Sequence, residues 1–409
     1  MTEDHRYTII EGDCIKGMAT LPDGCVHTCV TSPPYWGLRD YGHDDQIGAE
    51  KTPEAYVENM VNVFREVKRV LRDDGTVWLN LGDSYWSNTL SRKDPVESMW
   101  GKRPASDLSD GRDNIPTVNK RGGLGAAPIG IKPKDLVGIP WRVALALQAD
   151  GWYLRQDIIW HKPNPMPEAV ADRCTKAHEY IFLLSKSQKY YYDHNAIKEP
   201  VSSVNPISSK EYRQSIGRKS GINEVARWDE TDARSMPIGN PSDGKRNKRS
   251  VWTVTTKPFR GAHFATFPKD LIEPCVLAGT SQRGCCSKCG APWERQIEST
   301  RIARNELPPE DPRYRPNTYK GAYGEINGKG DAGYNSTKTL GWSASCKCKD
   351  AEIVPCTVFD PFTGSGTTCV VALNHNRRFI GTELNPDYIK IATERISDEA
   401  PMSLMDVME

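Results

Sequence analysis

A glycine-rich segment in the last quarter of the chain constrains the fold more than any other stretch. It reads Asp360-Pro361-Phe362-Thr363-Gly364-Ser365-Gly366-Thr367-Thr368 and lies between an apolar run at 354–360 and a helical pattern. A strand-like run at 379–383 and a helical pattern at 386–396 follow. Glycines at a strand-to-helix turn let the backbone approach a ligand closely, and the first turn of a helix offers unpaired N–H groups. This glycine turn (residues 361–366) therefore predicts an α/β unit that binds a ligand.

The residues around the glycine turn narrow the choice of ligand. Glu383 ends the next strand, where an acid commonly binds the two hydroxyls of a ribose. No lysine follows Gly366, which argues against a Walker phosphate loop, and Cys369 stands where a dinucleotide fingerprint has Gly or Ala. Asp360 repels a pyrophosphate but can accept a hydrogen bond from an ammonium group. The turn favours S-adenosylmethionine; a turn that merely packs tightly is the alternative.

The first 90 residues alternate between strand-like and helical patterns. Strand-like runs lie at 7–10, 26–31 and 76–81, with helical patterns at 14–21 and 53–71. This alternation is typical of an α/β sheet. Beyond residue 130 the pattern predicts helices at 134–150 and 268–277, and strands at 153–160, 180–185 and 190–193.

A second rigid turn, the proline turn (residues 32–35), directly follows the strand-like run that ends at Thr31. It reads Ser32-Pro33-Pro34-Tyr35, and consecutive prolines have fixed φ and no N–H donors, so their carbonyls point outward. Ser32 and the Pro33 carbonyl can accept the two hydrogens of an amino group, while Tyr35 can stack on a planar ring. The turn predicts a receptor for an amino-bearing base; a plain strand-ending turn is the alternative.

The two turns together resemble those of the DNA amino-methyltransferases, which methylate N4 of cytosine or N6 of adenine. The proline turn precedes the glycine turn, an order that resembles the circularly permuted β group of that family. Other matching segments are Gly12-Asp13-Cys14, Ile139-Pro140-Trp141-Arg142, His178-Glu179-Tyr180-Ile181 and His263-Phe264-Ala265-Thr266-Phe267-Pro268. The resemblance implies a Rossmann-like α/β sheet that binds S-adenosylmethionine.

The resemblance also assigns roles to individual residues. The base turn of the family corresponds to Ser32, Pro33, Pro34 and Tyr35, which would hold a base flipped out of double-stranded DNA. Asp13 would contact the adenine edge of the cofactor, Glu383 the ribose, and Thr266 with Phe267 the methionine end. The remaining cofactor contacts would come from Phe362, Gly364, Gly366 and Thr367.

An amino nitrogen can attack the sulfonium methyl directly, so the reaction needs no covalent nucleophile, and three thiols are expected to be structural: Cys25, Cys29 and Cys369. In the family that the two turns resemble, serine at the first position of the proline turn favours N4 of cytosine. N6 of adenine is the alternative, and a non-catalytic, zinc-dependent DNA-binding protein is a more distant one. A dehydrogenase is more distant still because of Cys369.

The net charge of +1 over 409 residues hides an asymmetric distribution. Residues 198–260 contain 13 Lys and Arg but seven Asp and Glu, a net charge of +6. This stretch predicts a target-recognition region that contacts DNA phosphates, although a charge run is also typical of a solvated loop. The candidate contacts are Arg218, Lys219, Arg227, Lys245, Arg246, Lys248 and Arg249.

Five of the twelve cysteines cluster near two positions. Cys286-Ser287-Lys288-Cys289-Gly290 has the spacing of a zinc knuckle, and Cys346-Lys347-Cys348 supplies two further thiolates. The predicted ligands of a structural zinc ion are Cys286, Cys289, Cys346 and Cys348, with Cys285 as an alternative to Cys286. Metal-free reduced thiols are the competing interpretation.

The sequence predicts one methyltransferase sheet interrupted by insertions. Its parts are a catalytic half at 1–197 with an excursion at 87–130, a recognition region at 198–260, a cofactor-binding helix at 261–280, a zinc-knuckle insertion at 281–349 and a cofactor half at 350–409. No apolar run is long enough for a membrane helix and the first residues do not resemble a signal peptide, so we expect a cytoplasmic protein. A separate restriction endonuclease stays open as a partner, and no nuclease motif occurs on this chain.

Overall fold

The computed structural model describes residues 5–37, 46–86, 130–200, 245–256, 266–302 and 334–400. The contacts within the chain define two compact units. The main unit comprises Met1–Tyr192, Arg249–Pro292 and Cys348–Glu409, and the second unit comprises Asp193–Lys248 and Trp293–Lys347. All but the last residue of the predicted excursion at 87–130 lies outside the described residues.

The described residues contain six helices and a larger number of strands, with the following bounds. In chain order the strands are β1 (Tyr7–Glu11), β2 (Val26–Thr31), β3 (Leu71–Leu81), β4 (Tyr153–His161), β5 (His178–Ser185), β6 (Glu199–Pro200), β7 (Lys245–Arg246), β8 (Val251–Thr253), β9 (Cys285–Cys286), β10 (Trp293–Ile302), β11 (Tyr334–Ala344), β12 (Ile353–Val354), β13 (Thr357–Asp360) and β14 (Arg378–Glu383). The helices are α1 (Cys14–Ala19), α2 (Pro53–Val70), α3 (Ile139–Ala149), α4 (Lys269–Gly279), α5 (Thr367–Asn374) and α6 (Pro386–Glu399).

The main unit is built on an eight-stranded sheet with the order β1-β14-β13-β2-β3-β5-β4-β8. The first five strands in this order are parallel, whereas β5 runs antiparallel to both β3 and β4. Helix α5 connects β13 to its neighbour β14, and α2 connects β2 to its neighbour β3, so the two connections run in opposite directions along the sheet order. The neighbouring strands β13 and β2 thus mark a topological switch point, where open α/β sheets bind ligands beyond their carboxyl ends.

Burial explains why these segments fold as they do. Every residue of β2 is buried because the strand lies in the middle of the sheet. Helix α2 buries an apolar stripe with helical spacing that consists of Tyr56, Met60, Val63, Phe64, Val67 and Val70. The side chain of Thr52 caps its first turn by accepting a hydrogen bond from the Ala55 N–H, and Pro53 occupies the first helical position.

Most predicted elements are confirmed, and the differences have local causes. The helix predicted at 134–150 begins only at Ile139, after Gly138 with a left-handed φ of +78°. The run at 354–360 is divided into β12 and β13 around Pro355, which has no N–H for a sheet ladder. The strand predicted at 190–193 is absent from these described residues.

The second unit contains an antiparallel pair that the sequence analysis missed, β10 with β11. Within it, Arg295 forms an ion pair of 2.8 Å with the buried Asp193 and stacks on the ring of Trp342 at 4.4 Å. The same unit contains the short pair of β6 with β7. Among the described residues of the chain, no helix has both the length and the apolar character needed to cross a membrane.

Candidate active site

The proline turn and the glycine turn meet at the switch point between β2 and β13. Thr31, the last residue of β2, donates a hydrogen bond of 2.6 Å from Oγ1 to Oδ1 of Asp360, the last residue of β13. Thr368 at the start of α5 donates to the other carboxylate oxygen at 2.7 Å. The Phe362 N–H also donates to Oδ1, at 3.0 Å. Asp360 therefore holds both turns in place.

Burial dominates the electrostatics of Asp360, whose exposed fraction is 1%. It raises the pKa of this carboxyl from 3.8 to about 6, against the lowering effect of the hydrogen bonds from Thr31, Thr368 and the Phe362 N–H. Because the chain's own donors contact both oxygens, the geometry indicates a positioning role. The ammonium contact inferred from the sequence stays a prediction.

We expect Asp360 to make stability depend on pH. Its pKa is higher in the folded chain than in the unfolded chain, so the folded state takes up the proton first and gains stability as the pH falls through about 6. Relative to Asp360→Asn, the wild type should gain about 1 kcal/mol between about pH 7.5 and pH 5. Thermal unfolding of both proteins at several pH values measures this, and a stability difference that does not vary with pH would contradict it.

Glu383 organises the cofactor edge of the site. Its Oε2 accepts a hydrogen bond of 2.8 Å from the Gly364 N–H, and its Oε1 accepts one of 2.9 Å from the Asn385 N–H. Its backbone carbonyl accepts from the Gly12 N–H at 2.8 Å. Next to Gly12, Asp13 caps α1 by accepting from the Lys16 N–H at 2.9 Å. The structure thus brings Asp13, Glu383 and the glycine turn to one edge of the sheet.

The other residues predicted to bind the cofactor differ in how they are placed. Gly364 and Gly366 both have left-handed φ values, +51° and +75°, which glycine adopts without strain. Thr367 is buried, and its Oγ1 accepts a hydrogen bond of 2.7 Å from Arg395. Phe362 is half-buried and packs against the hydrophobic core. Half-buried Thr266 and Phe267 lie just before α4.

The proline turn is fixed from both sides. Tyr56 of α2 donates a hydrogen bond of 2.9 Å to the carbonyl of Pro34. Pro33 is buried, and none of the described residues donates to its carbonyl. A Cβ added to Gly82, the residue after β3, would lie only 2.6 Å from the Tyr35 ring, so this glycine makes room for the tyrosine. The turn is therefore rigid, and no donor among the described residues competes with a ligand for the Pro33 carbonyl.

Three residues near Tyr35 received no role in the sequence analysis: Asn80, Lys162 and Glu179. Tyr35 donates from Oη to Glu179 Oε2 at 2.8 Å, and Ser32 Oγ donates to Tyr35 Oη at 3.4 Å. Lys162 forms an ion pair with the other oxygen of Glu179, and Asn80 Nδ2 donates to the Tyr180 carbonyl at 3.0 Å.

A signal for these residues is present in the sequence. Polar residues cluster where β3 and β4 end and where the antiparallel β5 begins, which is the same edge of the sheet.

Burial, followed by the charge of Glu179, raises the pKa of Tyr35 well above its ordinary value of 10. The Tyr35 phenol is therefore neutral and acts as a hydrogen-bond donor.

Sequence comparison assigns this arrangement to a family. The signature of the DNA methylase family, N6_N4_Mtase, matches residues 26–286 and 356–394, which include both turns. The chain belongs to the DNA methylase family. This confirms the predicted amino-methyltransferase resemblance and, with it, S-adenosylmethionine as the methyl donor.

This DNA methylase is similar to known proteins over nearly its whole length. It is 38% identical to the Type II methyltransferase M.Cfr9I of Citrobacter freundii, covering 96% of this chain and 88% of that protein. TTHA0409 of Thermus thermophilus, solved with S-adenosyl-L-methionine, is 19% identical, with a TM-score of 0.44 and coverage of 98% of this chain and 96% of that one. The cytosine-N4-specific PvuII DNA methyltransferase is 14% identical, with a TM-score of 0.49 and coverage of 100% and 93%.

The thiols expected to be structural are withdrawn from solvent in this DNA methylase. Cys29 and Cys369 are fully buried, and Cys25 is half-buried. Burial raises the pKa of Cys29 well above its ordinary value of 9, and it also raises that of Cys25. Neutral thiols of this kind are poor nucleophiles, as expected for a direct transfer to an amino nitrogen.

The predicted DNA contacts are only partly described. Arg218, Lys219 and Arg227 lie outside the described residues. Lys245 and Arg246 form β7 in the second unit, where Arg246 makes an ion pair of 2.7 Å with Glu199. Lys248 is half-buried and Arg249 is exposed. DNA contact by these residues stays a prediction.

The predicted zinc ligands come together. The Sγ atoms of Cys286, Cys289, Cys346 and Cys348 lie within 4.8 Å of one another; we call these residues the cysteine cluster. Cys285 instead belongs to a buried group with His27 and Cys356. The geometry therefore favours Cys286 over Cys285 as a ligand.

Proposed function

We propose that this DNA methylase transfers a methyl group from S-adenosylmethionine to the exocyclic N4 of a cytosine flipped out of double-stranded DNA. The observation that carries the proposal is the hydrogen bond of 2.6 Å between Thr31 and Asp360. It joins the receptor for an amino group to the turn that would hold the cofactor, so a bound amino nitrogen would be held close to the methyl group that the cofactor supplies. Such positioning supplies a large part of the rate of a direct transfer.

Each part of the site has a role in this reaction. Ser32 Oγ and the Pro33 carbonyl accept the two amino hydrogens, and Tyr35 contacts the face of the base. The N4 lone pair attacks the methyl carbon while the carbon–sulfur bond breaks, its electron pair goes to sulfur, and S-adenosylhomocysteine leaves. The methylated nitrogen then releases a proton. The chain of hydrogen bonds from Ser32 through Tyr35 to the Glu179 carboxylate offers a route for it.

The choice of cytosine rests on Ser32. The first position of the proline turn holds a neutral hydroxyl, a residue type that favours cytosine N4 in the family this turn resembles. The choice of duplex DNA rests on the net charge of +6 at 198–260 and on base flipping, which any enzyme needs to reach an amino group inside a duplex.

Mass spectrometry of nucleosides tests the proposal. We expect N4-methylcytosine in DNA from cells that express the wild-type chain in a host without DNA methyltransferases of its own. Cells that express Ser32→Ala, with the same vector and expression level, serve as the control and should contain far less N4-methylcytosine. N6-methyladenine in place of N4-methylcytosine would support the adenine alternative. DNA that contains neither methylated base would contradict the proposed reaction.

The relatives named as Type II methyltransferases suggest the biological setting of this reaction. We propose that the methylation is confined to one short DNA sequence and protects it from a separate restriction endonuclease. Mapping the methylated positions in the same DNA tests this, because methylation spread over unrelated sequences would contradict it.

A further inference from the structure

The cysteine cluster has the geometry and ligand set of a metal site separate from the methyl-transfer site. Four Sγ atoms lie within 4.8 Å of one another, and a tetrahedral set of four thiolates is typical of structural zinc. We propose that Cys286, Cys289, Cys346 and Cys348 bind one structural zinc ion. With four protein ligands the ion has no open position for a water molecule, so it takes no part in the chemistry.

Backbone pairing brings two of the thiol-bearing segments together within the main unit. Strand β9, which contains Cys286, pairs antiparallel with β12, which follows Cys348 by a few residues. Ser287 and Glu352 exchange two hydrogen bonds of 3.0 and 3.1 Å, and Lys288 Nζ donates to the Lys349 carbonyl at 2.7 Å. The frame of the site thus rests on contacts other than the thiols.

The knuckle is also attached to the central sheet. Arg72 in β3 donates a hydrogen bond of 2.6 Å to the Cys289 carbonyl. Gly290 has a left-handed φ of +68°, which favours glycine, and a Cβ there would lie 2.7 Å from the Arg72 guanidinium. Four thiolates around Zn²⁺ carry a net charge of −2, and the guanidinium of Arg72 offsets part of it.

The second group of candidate ligands does not suit a metal. His27, Cys285 and Cys356 are all buried, and their candidate ligand atoms also lie within 4.8 Å of one another. However, His27 Nδ1 accepts a hydrogen bond of 3.0 Å from the Thr357 N–H, and Nε2 lies 2.8 Å from the Gly290 carbonyl, to which it donates. Both ring nitrogens are thus engaged, and His27 attaches the knuckle to β2. Among the described residues, the geometry therefore supports one metal site, the cysteine cluster.

Elemental analysis of the full chain purified without chelator tests the proposal. We expect about one zinc ion per chain. Cys289→Ser and Cys348→Ser should each lose most of the zinc and unfold at a lower temperature, because binding free energy of a structural zinc contributes directly to folding. A strong chelator should lower the unfolding temperature of the wild type as well.

Cys174→Ser is the matched control, because Cys174 is exposed and lies outside both groups. It should retain the zinc content and unfolding temperature of the wild type. A wild-type chain with almost no zinc, with iron in its place, or with two zinc ions would overturn the proposal. So would full zinc content in both cluster variants. If those variants do not fold, the metal content of the wild type and the effect of chelator on its unfolding temperature still test the zinc proposal.

Discussion

We expect Ser32→Ala to reduce methyl transfer by at least about a hundredfold while S-adenosylmethionine binds with nearly unchanged affinity. The substitution removes a hydroxyl that accepts an amino hydrogen and begins the chain of hydrogen bonds to Glu179. The cofactor turn is held by Thr31 and Asp360, which the substitution leaves intact. Single-turnover kinetics with duplex DNA and calorimetric titration of the cofactor measure the two effects separately.

Ser397→Ala is a suitable control, since Ser397 is an exposed serine of α6 whose hydroxyl contacts only the helix backbone. It should retain full activity. Tyr35→Ala should also abolish transfer, because it removes both the ring and the link to Glu179. Full activity of Ser32→Ala and Tyr35→Ala together would refute the assignment of the proline turn.

The two turns could be predicted from the sequence because their conformations are set locally. Pro33 and Pro34 fix their own φ angles, and Gly366 is needed wherever φ is strongly positive. The apolar stripe of α2 is a local signal of the same kind, which is why that helix was predicted to within one residue.

The contacts that make a site of these turns could not be predicted in this way. Thr31 and Asp360 are 329 residues apart in the sequence, and Tyr35 and Glu179 are 144 apart. Which strands become neighbours depends on the packing of the whole sheet, and here β13 is inserted between β14 and β2. A single sequence contains no direct record of that order.

The missed pair β10 and β11 illustrates a different limit. Most of the described side chains of β10 are exposed or half-buried, and the strand reads Trp-Glu-Arg-Gln-Ile-Glu-Ser-Thr-Arg-Ile. Strand prediction relies on one buried face that gives an alternation of apolar and polar residues. Without that face, the strand resembles a polar loop.

The largest effect on cofactor binding is expected from Gly366→Ala. Alanine at a φ of +75° costs about 1–2 kcal/mol, and its Cβ would lie 3.0 Å from the Cβ of Ala392 in α6. Helix α6 also holds the glycine turn through Arg395, which donates to Ser365 and Thr367. Pushing the helix and the turn apart displaces Gly364 from Glu383, so we expect S-adenosylmethionine affinity to fall at least about tenfold.

Gly24→Ala separates this displacement from backbone strain alone. Gly24 has a similar φ of +63°, but a Cβ there meets no atom within 4 Å. Both variants should therefore unfold at a lower temperature than the wild type, whereas only Gly366→Ala should bind the cofactor more weakly in calorimetric titrations. Equal cofactor affinity of the two variants would mean that the turn tolerates a shift of α6, and that its backbone does not approach the cofactor as closely as the glycines indicate.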